Sequence, residues 1–186
     1  IHKVMFGLNR LIFFKELKKL KKDRNWKKNW IKIIKEENVG NPIPFFTYPE
    51  SSGNRIHETF NIMKLTQFNN FNSKIESVVE FGGGYGGFCN LYKKLFKIKK
   101  YIIYDLLEVN YIQFYYLKML GYNVKINSLK TSKNNCIYLF NDLKILNKFL
   151  KNINFKKTMF MSNWGFSETP IFLRKKFEKF ILKSNE

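Results

Sequence analysis

Five glycines follow an acidic side chain in the segment from Glu80 to Gly87. Glycine has no Cβ atom, so such a run allows a tight turn and lets the backbone approach a ligand closely. The segment fits G-x-G-x-x-G, the dinucleotide pattern, at Gly82, Gly84 and Gly87, and it also fits E-x-G-x-G-x-G when Glu80 is included. The glycines therefore predict a nucleoside site and leave its ligand open.

The acidic residues near the glycines help to decide between a dinucleotide and S-adenosyl-L-methionine. A dinucleotide places its pyrophosphate on a helix N-terminus, and Glu80 adds nothing favourable to that anion. S-adenosyl-L-methionine carries a cationic sulfonium and an ammonium, which a carboxylate at a strand end suits. Asp105, at the end of the next predicted strand, suits the ribose hydroxyls of either cofactor. We predict S-adenosyl-L-methionine as the cofactor. The predicted cofactor-binding residues are Glu80, Gly82, Gly83, Gly84, Tyr85, Gly86, Asp105, Leu106 and Asn163.

Four stretches extend the pattern beyond the glycine motif, namely residues 53–57, 80–87, 104–109 and 162–168. In these stretches the chain resembles a family of bacterial sugar O-methyltransferases within the class I methyltransferases that use S-adenosylmethionine. Asp105-Leu106-Leu107-Glu108-Val109 is similar to the D-L-P-x-V stretch of small-molecule O-methyltransferases, with Leu107 where proline is usual. The resemblance implies methyl transfer to a hydroxyl of a small molecule or glycan, such as a sugar in surface polysaccharide biosynthesis.

A sugar hydroxyl is a poor nucleophile, so methyl transfer to it calls for a general base. The chain offers His57, Asp142 and Glu168, and we favour His57 and Glu168 as the catalytic candidates. A helix-terminal histidine and a carboxylate in a first helical turn are the structural alternatives. Cys89 and Cys136 lack metal-ligand spacing, so we expect no metal.

The elements around these residues predict an α/β fold of Rossmann-like type, a parallel sheet with helices on both faces. Strands are predicted at 78–81, 101–104, 122–126 and 158–162, and they alternate with helices at 88–96, 109–120, 141–150 and 167–182. The last strand would be the fourth of the seven that the resemblance implies. We therefore expect a fragment that lacks the C-terminal strands of its parent and begins after the parent's N-terminus.

Two domains are predicted. Residues 1–54 form an N-terminal segment of basic amphipathic helices (6–37) followed by a linker (39–54) rich in glycine and proline. Residues 55–186 form the domain that binds S-adenosylmethionine, which is incomplete at its C-terminus.

The composition is strongly basic, with 34 Lys and Arg against 14 Asp and Glu and a net charge of +20. Such charge suits a polyanion or an anionic membrane, although scattered lysines among Asn, Ile, Phe and Tyr also fit A/T-rich codon usage. We expect a cytoplasmic enzyme without a specific nucleic-acid partner, and we keep peripheral contact of the N-terminal helices with the inner membrane as an option. The alternatives are an RNA methyltransferase, an NAD-dependent oxidoreductase, or a non-catalytic protein that keeps the fold. The sequence does not predict an oligomeric state.

Overall fold

The computed structural model describes residues 2–67, 75–132, 135–163 and 165–184 of the 186-residue chain. The chain forms two compact units, residues 1–71 and 72–186. The sequence placed the boundary after residue 54. The structure places helix Gly53–Gln67 in the first unit, because this helix packs against helix His2–Lys22.

The first unit contains helices α1 (His2–Lys22), α2 (Ile31–Ile34) and α3 (Gly53–Gln67), with a π-helical turn at Trp26–Trp30. Helices were predicted from residue 6 to residue 37, and the structure confirms them. Asp23 Oδ1 accepts from the indole Nε1 of Trp30 at 2.7 Å, which fixes the buried Trp30 ring beneath the turn. The core of this unit is apolar; its buried members include Leu17, Leu20, Trp30, Ile33, Ile34, Ile56 and Ile62.

The predicted linker holds two short antiparallel strands, β1 (Pro44–Phe45) and β2 (Tyr48–Ser52). Glycine and proline led us to expect no regular element here, and that expectation was wrong. Proline is compatible with short strands at an edge, where its missing N–H faces no partner.

The second unit contains a five-stranded parallel sheet, which confirms the predicted α/β architecture. Its strands are β3 (Ser77–Phe81), β4 (Lys100–Tyr104), β5 (Asn123–Ile126), β6 (Cys136–Phe140) and β7 (Thr158–Met161), in the spatial order β5-β6-β4-β3-β7. Strand β6, whose five consecutive residues are all buried, was not predicted. Among the described residues, β7 is therefore the fifth strand of this sheet in chain order, and its prediction as the fourth was wrong.

The helices that flank this sheet are α4 (Gly87–Leu95), α5 (Leu107–Met119), α6 (Leu143–Leu150), α7 (Gly165–Glu168) and α8 (Ile171–Ser184). A single helix was predicted over 167–182. The structure has two, separated at Thr169 and Pro170, because proline has no N–H with which to continue the first. No helix in the described part of the chain combines the length and the apolar character that crossing a bilayer demands.

Alternation along the strands divides the core between the two faces of the sheet. Val79, Phe81 and Ile102 lie on one face and pack in a cluster with side chains of α6 and α8. Glu80 and Tyr101 lie on the opposite face, where Tyr101 also meets Tyr92 of α4. All five strands of this sheet are parallel, so their carboxyl ends share one edge. That edge holds the predicted site.

Candidate functional site

The glycine-rich loop connects β3 to α4 in a conformation that requires glycine. Gly82, Gly84 and Gly86 have φ values of +74°, +55° and +96°, which residues with a side chain rarely adopt. The N–H of Gly82 donates to the Tyr104 carbonyl at 2.9 Å, and the N–H of Gly86 closes a turn onto the Gly83 carbonyl at 3.0 Å. The predicted glycines thus form one ordered loop at the edge of the sheet.

Gly82 meets the segment after β7 backbone against backbone. A Cβ atom on Gly82 would lie 2.8 Å from the Cα atom of Gly165, and a Cβ atom on Gly165 would lie 2.9 Å from the Cα of Gly82. Ser162 joins the same two segments, because its hydroxyl donates to the Phe81 carbonyl at 2.9 Å and accepts from the Phe166 N–H at 3.0 Å. Helix α7 is therefore held directly beside the glycine loop.

Gly83 and Gly84 have different surroundings. A Cβ atom on Gly83 would lie 2.7 Å from the Cγ2 atom of Ile103 and 3.2 Å from a carboxylate oxygen of Glu80. A Cβ atom on Gly84 would meet nothing within 4 Å. The loop backbone consequently rests closely on the strands at Gly83 and faces open space at Gly84, where a ligand can approach it.

Glu80 is a buried carboxylate immediately beneath this loop. It is 1% exposed, and its Oε2 atom accepts from the Tyr101 hydroxyl at 2.9 Å. Burial, followed by the negative charge of Glu80, raises the pKa of Tyr101 well above its ordinary value, so Tyr101 remains a hydroxyl donor. The structure thus places a hydrogen-bonded acid under Gly83, as the motif predicted.

Asp105 follows β4, the strand next to β3, and its carboxylate faces the glycine loop. Oδ1 accepts from the Leu106 N–H at 2.9 Å, and Oδ2 accepts from the Gln113 side chain at 2.9 Å. Burial raises the pKa of Asp105 above its ordinary value, although N–H donors from Leu106, Gln113, Gly83 and Gly84 favour the charged form. A ligand that donates hydrogen bonds to Asp105 would offset that cost of burial.

Two buried amides on α5, Asn110 and Gln113, complete the site, and neither was predicted from the sequence. Gln113 Nε2 donates to the Gly84 carbonyl and to Asp105, and Gln113 Oε1 accepts from Asn110 Nδ2 at 3.1 Å. Carboxylate and carbonyl oxygens only accept here, so they fix the orientation of the Gln113 amide. Amides three residues apart on the inward face of a helix just after Asp105 were the signal that could have revealed them.

The other predicted cofactor-binding residues are Tyr85, Leu106 and Asn163. The Tyr85 ring packs edge-on against Tyr116, with centroids 5.0 Å apart, so it has a packing contact of its own. Leu106 precedes α5 and its side chain is exposed, and Asn163 is exposed between Ser162 and α7. Trp164, within the 162–168 stretch that carries part of the resemblance, lies outside the described residues.

The proposed catalytic residues lie in different units. His57 belongs to the first unit, where Nδ1 lies 2.8 Å from a Glu16 carboxylate oxygen and Nε2 lies 3.1 Å from Asn61 Nδ2. The hydrogen bond to Glu16 is the main reason that the pKa of His57 is raised. Glu168 is exposed on α7, three residues after the Gly165 that touches the glycine loop. Asp142 caps α6 by accepting from the Lys144 and Ile145 N–H groups.

Neither a metal-binding cluster in the described residues nor a similar known protein adds to the description of the site. Among the residues that the structure describes, no three His, Cys, Asp or Glu side chains gather closely enough to hold a metal ion. The chain matches no protein-family model, no curated protein and no solved structure. The interpretation of the site therefore depends on its own geometry: a glycine loop, two acids at neighbouring strand ends, and an amide that links Asp105 to the loop.

Proposed function

We propose that the second unit binds S-adenosyl-L-methionine and that the protein is an O-methyltransferase. The observation that supports this most strongly is the position of Glu80, a buried carboxylate that lies directly against the glycine loop at Gly83, next to the open approach at Gly84. A buried negative charge makes the loop above it electrostatically favourable for a cationic ligand, because charges interact strongly where water is excluded.

Glu80 also disfavours the dinucleotide alternative. A pyrophosphate on the glycine loop would lie close to this carboxylate, and like charges repel strongly where water is excluded. The ammonium and sulfonium of S-adenosylmethionine would instead be attracted to it, while Asp105 suits the ribose of either cofactor. In our proposal Asp105 accepts hydrogen bonds from the ribose hydroxyls. The backbone of Gly82–Gly84 contacts the amino-acid portion of the cofactor, and Glu80 supplies negative charge beside it.

The chain's own groups would align the reactants. S-adenosylmethionine, when bound, supplies a methyl group already activated by a sulfonium, so the protein mainly positions the acceptor and excludes water. Glu168 is our candidate for removing the proton from the acceptor hydroxyl, because contact between Gly82 and Gly165 holds α7 beside the loop. Asn163 would hydrogen-bond the acceptor or the cofactor. His57, the other candidate base, belongs to the first unit, where its Nε2 atom contacts Asn61 Nδ2.

The acceptor class in this proposal is a hydroxyl of a sugar or glycan, and it comes from the resemblance of residues 53–57, 80–87, 104–109 and 162–168 to sugar O-methyltransferases. A cytoplasmic location and a role in surface polysaccharide synthesis belong to the same proposal.

Titration calorimetry with S-adenosylhomocysteine and with NAD⁺ tests the proposed ligand. We expect the first to bind and the second not to bind. Glu80→Gln should weaken binding by roughly 10- to 100-fold, the loss expected for a hydrogen bond to a charged group. Glu76→Gln is the matched control, because Glu76 lies just before the other end of β3, where it pairs with Lys99 and Lys157. Binding of NAD⁺ alone would refute the proposal.

A further inference from the structure

Helix α5 has an outward face that is unusually rich in large apolar side chains for a surface helix. Its buried residues include the amides Asn110 and Gln113, whereas five large apolar side chains face outward with exposures between 38% and 61%. The outward residues, including two charged ones, are Leu107, Glu108, Tyr111, Ile112, Tyr115, Lys118 and Met119. They recur every three or four positions and form one continuous stripe, which we call the α5 stripe.

Apart from Ile112, the α5 stripe is symmetric about its middle. Counting outward from position 113, Tyr111 and Tyr115 are equidistant, as are Leu107 and Met119. An interface around a two-fold axis brings residue i of one chain to residue j of its partner, and the same contact is repeated in reverse. A second α5 laid antiparallel across the axis would therefore pair tyrosine with tyrosine and leucine with methionine.

The two charged residues of the α5 stripe also lie at mirrored positions, and their charges are opposite in sign. Glu108 and Lys118 are each five residues from the centre of α5, and both are exposed. In an antiparallel pair, Glu108 of one copy would face Lys118 of the other, twice per dimer. We propose that the α5 stripe is a homodimer interface in which two copies of this chain pack their α5 helices antiparallel about a two-fold axis.

The size of the stripe is consistent with a weak to moderate dimer. A 13-residue helix is about 20 Å long. Five apolar side chains at these exposures would bury on the order of 1,000 Å² summed over both copies, near the lower limit for specific interfaces. Two chains of charge +20 repel each other over long range, and salt screens that repulsion. Association should therefore strengthen as salt rises.

A membrane surface is a poorer partner for this helix. Helices that lie on anionic lipid flank their apolar stripe with several lysines or arginines. The outward face of α5 has one lysine and one glutamate, and its remaining polar residues are buried against the sheet. Opposite charges at mirrored positions suit a second copy of the chain.

Sedimentation equilibrium of the purified protein at about 0.3 M salt tests the interface. We expect a species of twice 22.4 kDa to appear as concentration rises into the micromolar range. Tyr115→Ser should weaken dimerisation at least tenfold, while Phe172→Ser, which removes an exposed aromatic from α8, should leave it unchanged. A protein that remains monomeric, or a dimer indifferent to Tyr115→Ser, would overturn the proposal.

Charge reversal tests the antiparallel register. Glu108→Lys and Lys118→Glu should each weaken self-association by roughly tenfold or more, because each places like charges opposite one another twice. An equimolar mixture of the two variants should recover a mixed dimer, in which every pair is again opposite in charge. No recovery on mixing would overturn the register. A monomer that binds anionic phosphatidylserine vesicles through Tyr115 would overturn the proposal in favour of lipid.

Discussion

The side-chain nitrogen of Gln113 lies 2.9 Å from Oδ2 of Asp105. The same nitrogen donates to the Gly84 carbonyl, so one amide joins α5, the end of β4 and the glycine loop. Gln113 is fully buried and would not itself be required to touch a ligand. Its role in our proposal is to position the acid that does.

Replacing Gln113 by Leu tests this positioning role. The variant removes a donor from Asp105, so the pKa of Asp105 should rise further above its ordinary value. Affinity for S-adenosylhomocysteine should fall roughly tenfold and should decline at a higher pH than in the wild type as the solution is acidified. Calorimetry across the acidic range measures both effects. Gln67→Leu, at an exposed glutamine in the first unit, is the control. An unshifted pH profile would contradict the role.

Asp105→Asn should separate binding from stability. Burial raises the folded-state pKa of Asp105. Its ionised form therefore destabilises the fold at neutral pH, and this penalty disappears as pH falls below the ordinary aspartate range. The variant loses this pH dependence, so its stability relative to the wild type should be higher at pH 7 than near pH 4. Added to this is a loss that does not depend on pH, because the new amide NH2 faces the N–H of Leu106 or the side-chain N–H of Gln113. Binding of S-adenosylhomocysteine should weaken about 10- to 100-fold. Urea unfolding at both pH values and calorimetry make the measurements, and a stability difference that is the same at pH 7 and pH 4 would contradict this account.

Gly82 and Gly84 should respond differently to alanine. Both have positive φ, which costs an alanine about 1–2 kcal/mol. A Cβ at Gly82 also collides with the backbone of Gly165, whereas one at Gly84 meets open space. We expect Gly82→Ala to lower the free energy of unfolding by about 2–4 kcal/mol and Gly84→Ala by about 1–2 kcal/mol, as measured by urea denaturation. Equal losses would show that the contact with Gly165 is unimportant.

Glu16 and His57 should make the stability of the protein depend on pH. The pKa of His57 is raised above 6.5, chiefly by its hydrogen bond to Glu16. The stabilisation is thus complete below the ordinary histidine pKa and is lost as pH rises through the raised value. Glu16→Gln should cost up to about 1 kcal/mol at pH 5.5 and less at pH 8.5, because the pair is partly exposed. A cost that is independent of pH would contradict the ionic nature of the pair.

Glu168→Gln tests the proposed base without disturbing the cofactor loop. Glu168 is exposed on α7, so the variant should fold and bind S-adenosylhomocysteine as the wild type does. Transfer of a labelled methyl group to a sugar acceptor should slow by roughly 10²- to 10⁴-fold. His57→Gln, assayed in parallel, compares the other candidate. A rate unaffected by Glu168→Gln would assign the proton transfer to another residue.

The sequence revealed the parts of the fold that depend on local pattern. Alternation of apolar strands with helices predicted the parallel sheet, and the glycine run marked the turn after β3 correctly. Strand β6 has an unbroken apolar run with no period that distinguishes a strand from a buried helix, and, unlike β3 and β4, it has no acidic side chain of the candidate site at its end to mark it. The break between α7 and α8 was not predicted, because the sequence pattern places Pro170 within the first turn of one helix, where proline is tolerated, whereas it lies between two helices.

The acidic residues of the site could be predicted from the sequence, but the amides that hold them in place could not. Glu80 and Asp105 could be found because each stands at the end of a predicted strand. Gln113 could not be placed by that rule, since its role arises from the way in which α5 packs over the loop. The helix Gly53–Gln67 shows the same limit, because the unit to which it belongs is decided by tertiary contacts with α1.

A crystal structure of the protein with S-adenosylhomocysteine bound would test the central claim most directly. Our account predicts the ribose hydroxyls within hydrogen-bonding distance of Asp105 and the amino-acid portion against the Gly82–Gly84 backbone above Glu80. A ligand bound elsewhere, or a pyrophosphate from added NAD⁺ seated on that loop, would contradict it.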